Sequence, residues 1–128
     1  MATQNEETRA VFVIEDEADM RELLVDLLSR EGYEVHAAGD GVEALRGLPA
    51  SGARVLLVDL GMPRLDGEQL LRGLKGLSWR PRVLVVSGHD DGAVISKRLG
   101  ADGFLAKPFV PDALLAHVAR LSNRGTIH

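Results

Sequence analysis

The chain contains no cysteine. That excludes disulfides, a thiolate nucleophile and any zinc site built on sulfur. Long apolar runs are missing too. The longest are four or five residues, as at Ala10–Ile14, Val55–Val58 and Val83–Val86, far short of the ~20 needed to cross a bilayer as a helix. There is no basic stretch. The 15 lysines and arginines are outnumbered by 19 acids, for a net charge of −4, a poor balance for direct binding of nucleic acid. Met1–Thr8 is polar and acidic, the opposite of a secretory signal, and a cytoplasmic location is expected. No internal repeat or low-complexity segment appears. What remains is 128 residues, 45% hydrophobic and 27% charged, the profile of one ordinary globular domain.

The order of elements is legible from the apolar pattern. Residues 1–8 lack periodicity and read as a disordered lead-in. Residues 9–122 read as the domain and 123–128 as a polar tail. Ala10–Ile14 reads as a strand that stops at Glu15, Asp16 and Glu17. Met20, Leu23, Leu24, Leu27 and Leu28 then recur at helical spacing, and Gly32 follows the last turn. Tyr33–Ala38 reads as a second strand, with His36 facing solvent. Asp40 is placed to cap a helix through Leu48, closed by Pro49 and Gly52. Arg54–Val58 is a third strand, apolar without alternation, as expected of a strand covered on both faces.

After a loop, Leu70, Leu71 and Leu74 share one side of a helix over 67–74. Gly73 and Gly76 weaken that helix by ~1 kcal/mol each relative to alanine. Arg82–Val86 is a fourth strand. Asp90 and Asp91 are placed to cap a helix that Gly100 stops. Phe104–Ala106 is a brief fifth strand. Pro111 and Asp112 open a last helix with Leu114, Leu115, Val118 and Leu121 inward. Trp79 reads as a loop side chain covering the sheet edge. Five strands alternate with five helices. That implies an α/β fold, a doubly wound parallel sheet with helices on both faces.

In such a sheet, ligands bind beyond the carboxyl ends of the strands. The first strand delivers Glu15 and Asp16 there, the third Asp59, the fourth Ser87 and the fifth Lys107. The spacings between these positions fit two, one and one strand–helix–strand crossovers, so all can meet at one edge. Three carboxylates in one cleft repel each other, and without a cation at least one would tend to take a proton. Magnesium suits all-oxygen ligands and keeps several waters, whereas no histidine or cysteine is placed to favour zinc. A lysine and a serine beside such an ion have a natural partner in a phosphoryl group. Its transfer needs mostly positioning and charge neutralisation. A carboxylate can be the nucleophile, giving an acyl phosphate. Asp59 is the best placed, since the other groups arrange around it. Taken alone, each residue has a plainer reading: Asp59 as a turn cap, Glu15 and Asp16 as helix N-terminal acids, Ser87 as a turn hydroxyl, Lys107 as a solvated side chain and Phe104 as core.

At these residues the chain resembles the receiver domain of bacterial two-component response regulators. The matching segments are Val13-Ile-Glu-Asp-Glu17, Val58-Asp-Leu-Gly-Met-Pro63 with Asp66-Gly67, Val86-Ser-Gly88, and Gly100-Ala-Asp-Gly-Phe-Leu-Ala-Lys-Pro-Phe109. They cover roughly residues 10–122 in order and spacing. The resemblance implies a flavodoxin-like three-layer sandwich with strand order 2-1-3-4-5. It implies Asp59 as phosphoacceptor, and Mg²⁺ held by Glu15, Asp16, Asp59 and the Gly61 backbone carbonyl. Ser87 and Lys107 would contact the phosphoryl group, with a cis Lys107–Pro108 bond. Ser87 and Phe104 would act as the switch. The implied donor is a phosphohistidine on a sensor histidine kinase or a histidine phosphotransfer domain. The implied output surface is the fourth helix, fifth strand and fifth helix, about residues 91–122, with an effector the sequence does not name.

Some positions depart from the common pattern. Glu15 stands where aspartate is commoner. Gly61 offers no side chain to orient or block an attacking water, and His89 is expected to modulate the phosphoryl lifetime instead. Three rivals are weaker. A Mg²⁺-dependent phosphatase of the haloacid dehalogenase type wants a second acid two residues after the nucleophile, where this chain has Gly61. A phosphate-independent pseudo-receiver usually lacks the acceptor, the acidic pair or the lysine. A flavodoxin-like electron carrier wants a phosphate-cradling loop after the first strand and more than 4% aromatics.

Overall fold

The computed structural model describes residues 9–59, 67–88, 92–98 and 100–123. Gly61, His89, Asp90 and Asp91 lie outside these residues, as do 1–8 and 124–128. The described elements are β1 (Ala10–Ile14), α1 (Ala18–Arg30), β2 (Glu34–Ala38), α2 (Gly41–Ser51) and β3 (Val55–Asp59). They continue with α3 (Gly67–Lys75), β4 (Arg82–Ser87), α4 (Gly92–Arg98), β5 (Gly103–Ala106) and α5 (Pro111–Asn123). The five strands form one parallel sheet in the order β2-β1-β3-β4-β5.

The central strands β1 and β3 are buried along their whole length, which explains why their apolar residues do not alternate with polar ones. Alternation survives as a choice of face. Phe12, Ile14, Leu56, Val58, Val83 and Val85 pack with Ala44 and Leu48 of α2 and Leu70 and Leu74 of α3. Val11, Val13, Val55, Leu57, Leu84 and Val86 pack with Leu24 and Leu28 of α1 and Leu114, Val118 and Leu121 of α5. Two apolar cores thus sandwich the sheet.

Several boundaries differ from the sequence reading, each for a physical reason. Pro49 does not close α2 but lies inside it. It is exposed, so its ring sits on the solvent side. The Ser51 hydroxyl donates to the Leu48 carbonyl at 2.7 Å, covering an acceptor near the end of the helix. The turn then closes at Gly52, whose left-handed φ of 64° suits glycine. Asp40 does cap α2, accepting from the Glu43 N–H at 2.8 Å. β3 and β4 run one residue further than expected, through Asp59 and Ser87 themselves. Asn123, read as the start of the tail, is the last residue of α5. His36 does not simply face solvent. Its ring is half-buried and stacked on Phe12 of β1, its register partner, and its Nε2 lies 2.7 Å from the Glu34 carboxylate. The Trp79 indole N–H donates to the Ala53 carbonyl at 2.8 Å, securing the chain just before β3.

Candidate functional site

Because all five strands are parallel, their carboxyl ends lie along one edge of the sheet. β1 runs into Glu15, 2% exposed, and then Asp16, which is exposed. β3 ends on Asp59, 4% exposed, and β4 on Ser87, 1% exposed. The Lys107 N–H donates to the Ser87 carbonyl at 2.9 Å, extending the β4–β5 ladder past β5. That ladder carries the Lys107 side chain to the mouth of the cleft. Its Nζ lies 2.8 Å from Asp59 Oδ2. Glu15, Asp16 and Asp59 each offer one carboxylate oxygen, all within 4.8 Å of one another.

Electrostatics make this a charged pocket under tension. Burial and a side-chain hydrogen bond with Asp59 push the Glu15 carboxyl up to about 7, although the Glu17 N–H, which donates to Glu15 Oε2 at 3.2 Å, pulls the other way. Lys107 shows the opposite balance. Burial alone would lower its ammonium, but the bond to Asp59 and the nearby carboxylates outweigh this and hold it above its ordinary value. It therefore stays protonated at neutral pH. Three carboxylates against one ammonium leave an excess of negative charge that a divalent cation would neutralise. The donors are all oxygen, two buried and one open to solvent, which fits a hard ion such as Mg²⁺ that keeps some of its water.

Ser87 and Phe104 meet at another point. Phe104, half-buried, packs toward the α2–α3 core, and Gly92 opens α4 directly above both residues. A Cβ on Gly92 would stand 2.7 Å from Ser87 Oγ and 3.2 Å from Phe104 Cε1. Only glycine leaves the hydroxyl and the ring their present places. The Lys107–Pro108 peptide bond is cis.

Three features escaped the sequence reading. Gly92 was one. The second is Arg21, whose guanidinium donates to the Glu15 carbonyl at 2.8 Å. The third is an apolar groove of ≈ 380 Å³ beside Lys107, lined by Met20, Leu23, Leu27, Pro108, Phe109 and Pro111. Leu23 belongs to the helical apolar pattern of α1, yet it is 50% exposed. The signal was present in the width of the stripe. Met20, Leu23 and Leu27 add apolar residues beyond the buried pair Leu24 and Leu28.

A doubly wound parallel domain with an acidic pocket and one lysine at the carboxyl edge of its sheet is the class that fold and site define. The profile of the response regulator receiver domain matches residues 11–119. The chain belongs to that family, and is a receiver domain of a two-component response regulator. It is 38% identical over 119 residues to the response regulator MprA of Mycobacterium tuberculosis, covering 89% of this chain and 50% of that protein. It is 32% identical over 117 residues to the sensory transduction protein RegX3 of Mycolicibacterium smegmatis, covering 91% of this chain and 51% of that protein. The chain thus spans about half the length of these curated relatives. The crystal structure of a response regulator signal receiver domain from Bermanella marisrubri superposes with a TM-score of 0.83 at 33% identity, covering 90% of this chain and 98% of that one. Among the described residues no helix is long and apolar enough to cross a membrane.

Proposed function

We propose that the domain, over residues 9–122, accepts a phosphoryl group on Asp59 from a phosphohistidine of a sensor histidine kinase or a histidine phosphotransfer domain. One observation carries this reading: the 2.8 Å contact of Lys107 Nζ with Asp59 Oδ2 inside a group of three carboxylates. An Asp59 carboxylate oxygen attacks phosphorus in line. The P–O bond forms as the P–N bond to the imidazole breaks, and the imidazole leaves with the bonding pair. Lys107, already charged, turns from the carboxylate to the incoming phosphoryl oxygens. The Ser87 hydroxyl donates to one of them. Glu15, Asp16, Asp59 and the Gly61 carbonyl would hold Mg²⁺, which would supply charge neutralisation for the phosphoryl oxygens.

The donor docks on the apolar groove beside Lys107, where Leu23 stands exposed at the rim. The acyl phosphate biases a two-state equilibrium. Ser87 and Phe104, which share the space at Gly92, report it to α4, β5 and α5, about residues 91–122, where a downstream effector binds. His89 modulates hydrolysis, so His89→Ala changes the lifetime of the acyl phosphate.

The test is intact mass after incubation with a small phosphodonor and Mg²⁺, wild type beside Asp59→Asn. One phosphoryl group gained by the wild type alone is expected. No gain by a folded, Mg²⁺-binding wild type would overturn the proposal in favour of a phosphate-independent module. Steady release of phosphate without accumulation would point to a phosphatase.

A further inference from the structure

The acidic residues at the end of β1 are held from behind by a side chain that takes no part in the chemistry above. Arg21, one turn into α1, donates from Nη1 to the Glu15 carbonyl at 2.8 Å and more weakly to the Asp16 carbonyl at 3.5 Å. The same nitrogen occupies the space over Gly39, where a Cβ would stand 3.2 Å from it. Gly39 is the first residue after β2, and its own N–H donates to the Glu43 carboxylate at 3.1 Å. Just before it, the Ala38 carbonyl accepts the Glu15 N–H at 3.0 Å. The Glu15 peptide is therefore gripped on both sides, its N–H by the end of β2 and its carbonyl by Arg21.

We propose that Arg21 is a positioning residue for the Glu15–Asp16 pair, and that Gly39 keeps clear the space its guanidinium needs. The proposal rests on the reading of that pair as Mg²⁺ ligands. Arginine suits the task for two reasons. A charged donor makes a stronger bond to a carbonyl than a neutral one. A rigid guanidinium also directs its hydrogen bonds in a fixed fan, whereas a lysine ammonium is a point charge on a flexible stem. Carboxylates whose support is loosened hold a metal less well.

The test is calorimetric titration with Mg²⁺ alone, with circular dichroism confirming that each variant is folded at the working temperature. Arg21→Met keeps much of the apolar stem and removes the donors. It is expected to weaken Mg²⁺ binding roughly ten- to a hundredfold. Arg21→Lys keeps the charge and is expected to recover only part of the loss. Gly39→Ala changes no charge and is expected to weaken binding by displacing the guanidinium.

Unchanged affinity in folded Arg21→Met overturns the proposal. Full recovery in Arg21→Lys does so too, because charge alone would then account for the effect. Should Arg21→Met fail to fold, Gly39→Ala decides: reduced affinity supports the brace and unchanged affinity overturns it. A wild type that binds no Mg²⁺ overturns the metal reading together with this one. The two failures are thus told apart by the wild-type titration.

Discussion

Glu15 is a carboxylate buried where charge is costly, and its titration has a sign that can be worked out. Its carboxyl is pushed up to about 7, against 4.5 for an ordinary glutamate. Between those values the folded chain holds a proton that the unfolded chain has lost. Stability therefore falls as pH rises through that window. In metal-free buffer the urea midpoint should be higher at about pH 5 than at about pH 8, and Glu15→Gln should flatten the difference. Equal slopes in the two proteins would remove Glu15 as the cause. A Mg²⁺ ion bound at this carboxylate would compete with that proton, and its affinity is expected to rise with pH across the same range. Glu15, Asp16, Asp59 and Lys107 were legible as neighbours because each follows an apolar strand of a parallel sheet. Arg21 was not. An arginine near the start of an amphipathic helix looks solvated, and nothing in its own segment tells that Gly39, across a strand and a turn, leaves it room.

At the level of elements, α3 carries a conflict that the pattern could show only in part. Gly73 weakens the helix on propensity alone. The fold supplies the reason for it, since the Leu45 side chain of α2 occupies the place where a Gly73 Cβ would go. Gly73→Ala, which would stabilise an isolated helix by ~1 kcal/mol, is therefore expected to destabilise the domain by about 1–3 kcal/mol through overpacking. Urea unfolding of the single variant and of Gly73→Ala with Leu45→Ala measures this. In the double variant the alanine should stabilise relative to Leu45→Ala alone. If Gly73→Ala stabilises with Leu45 intact, the packing account is wrong. The ends of elements were less legible than their existence. Pro49 looked like a stop, but near the end of α2, with its ring on the exposed side, it costs one intrahelical hydrogen bond, to the Leu45 carbonyl, and the helix runs on to Ser51.

The architecture of the whole molecule was the most legible layer. Alternating strands and helices, with apolar central strands, leave few arrangements besides a parallel sheet between two layers of helices, and the order β2-β1-β3-β4-β5 agrees with the family resemblance. What stayed hidden belongs to surfaces between elements, such as the groove between α1 and the segment after β5. The layout also divides the pocket unevenly along the chain. Gly52 lies in an exposed turn with no heavy atom within 4 Å of where its Cβ would be, the kind of site where a chain tolerates interruption. A break there would leave Glu15 and Asp16 on one fragment and Asp59, Ser87 and Lys107 on the other. Reassembly would have to pair β1 with β3 before the acids could meet. Cation binding by the mixed fragments, absent from either alone, would then act as a coincidence detector for the polypeptide's own two halves.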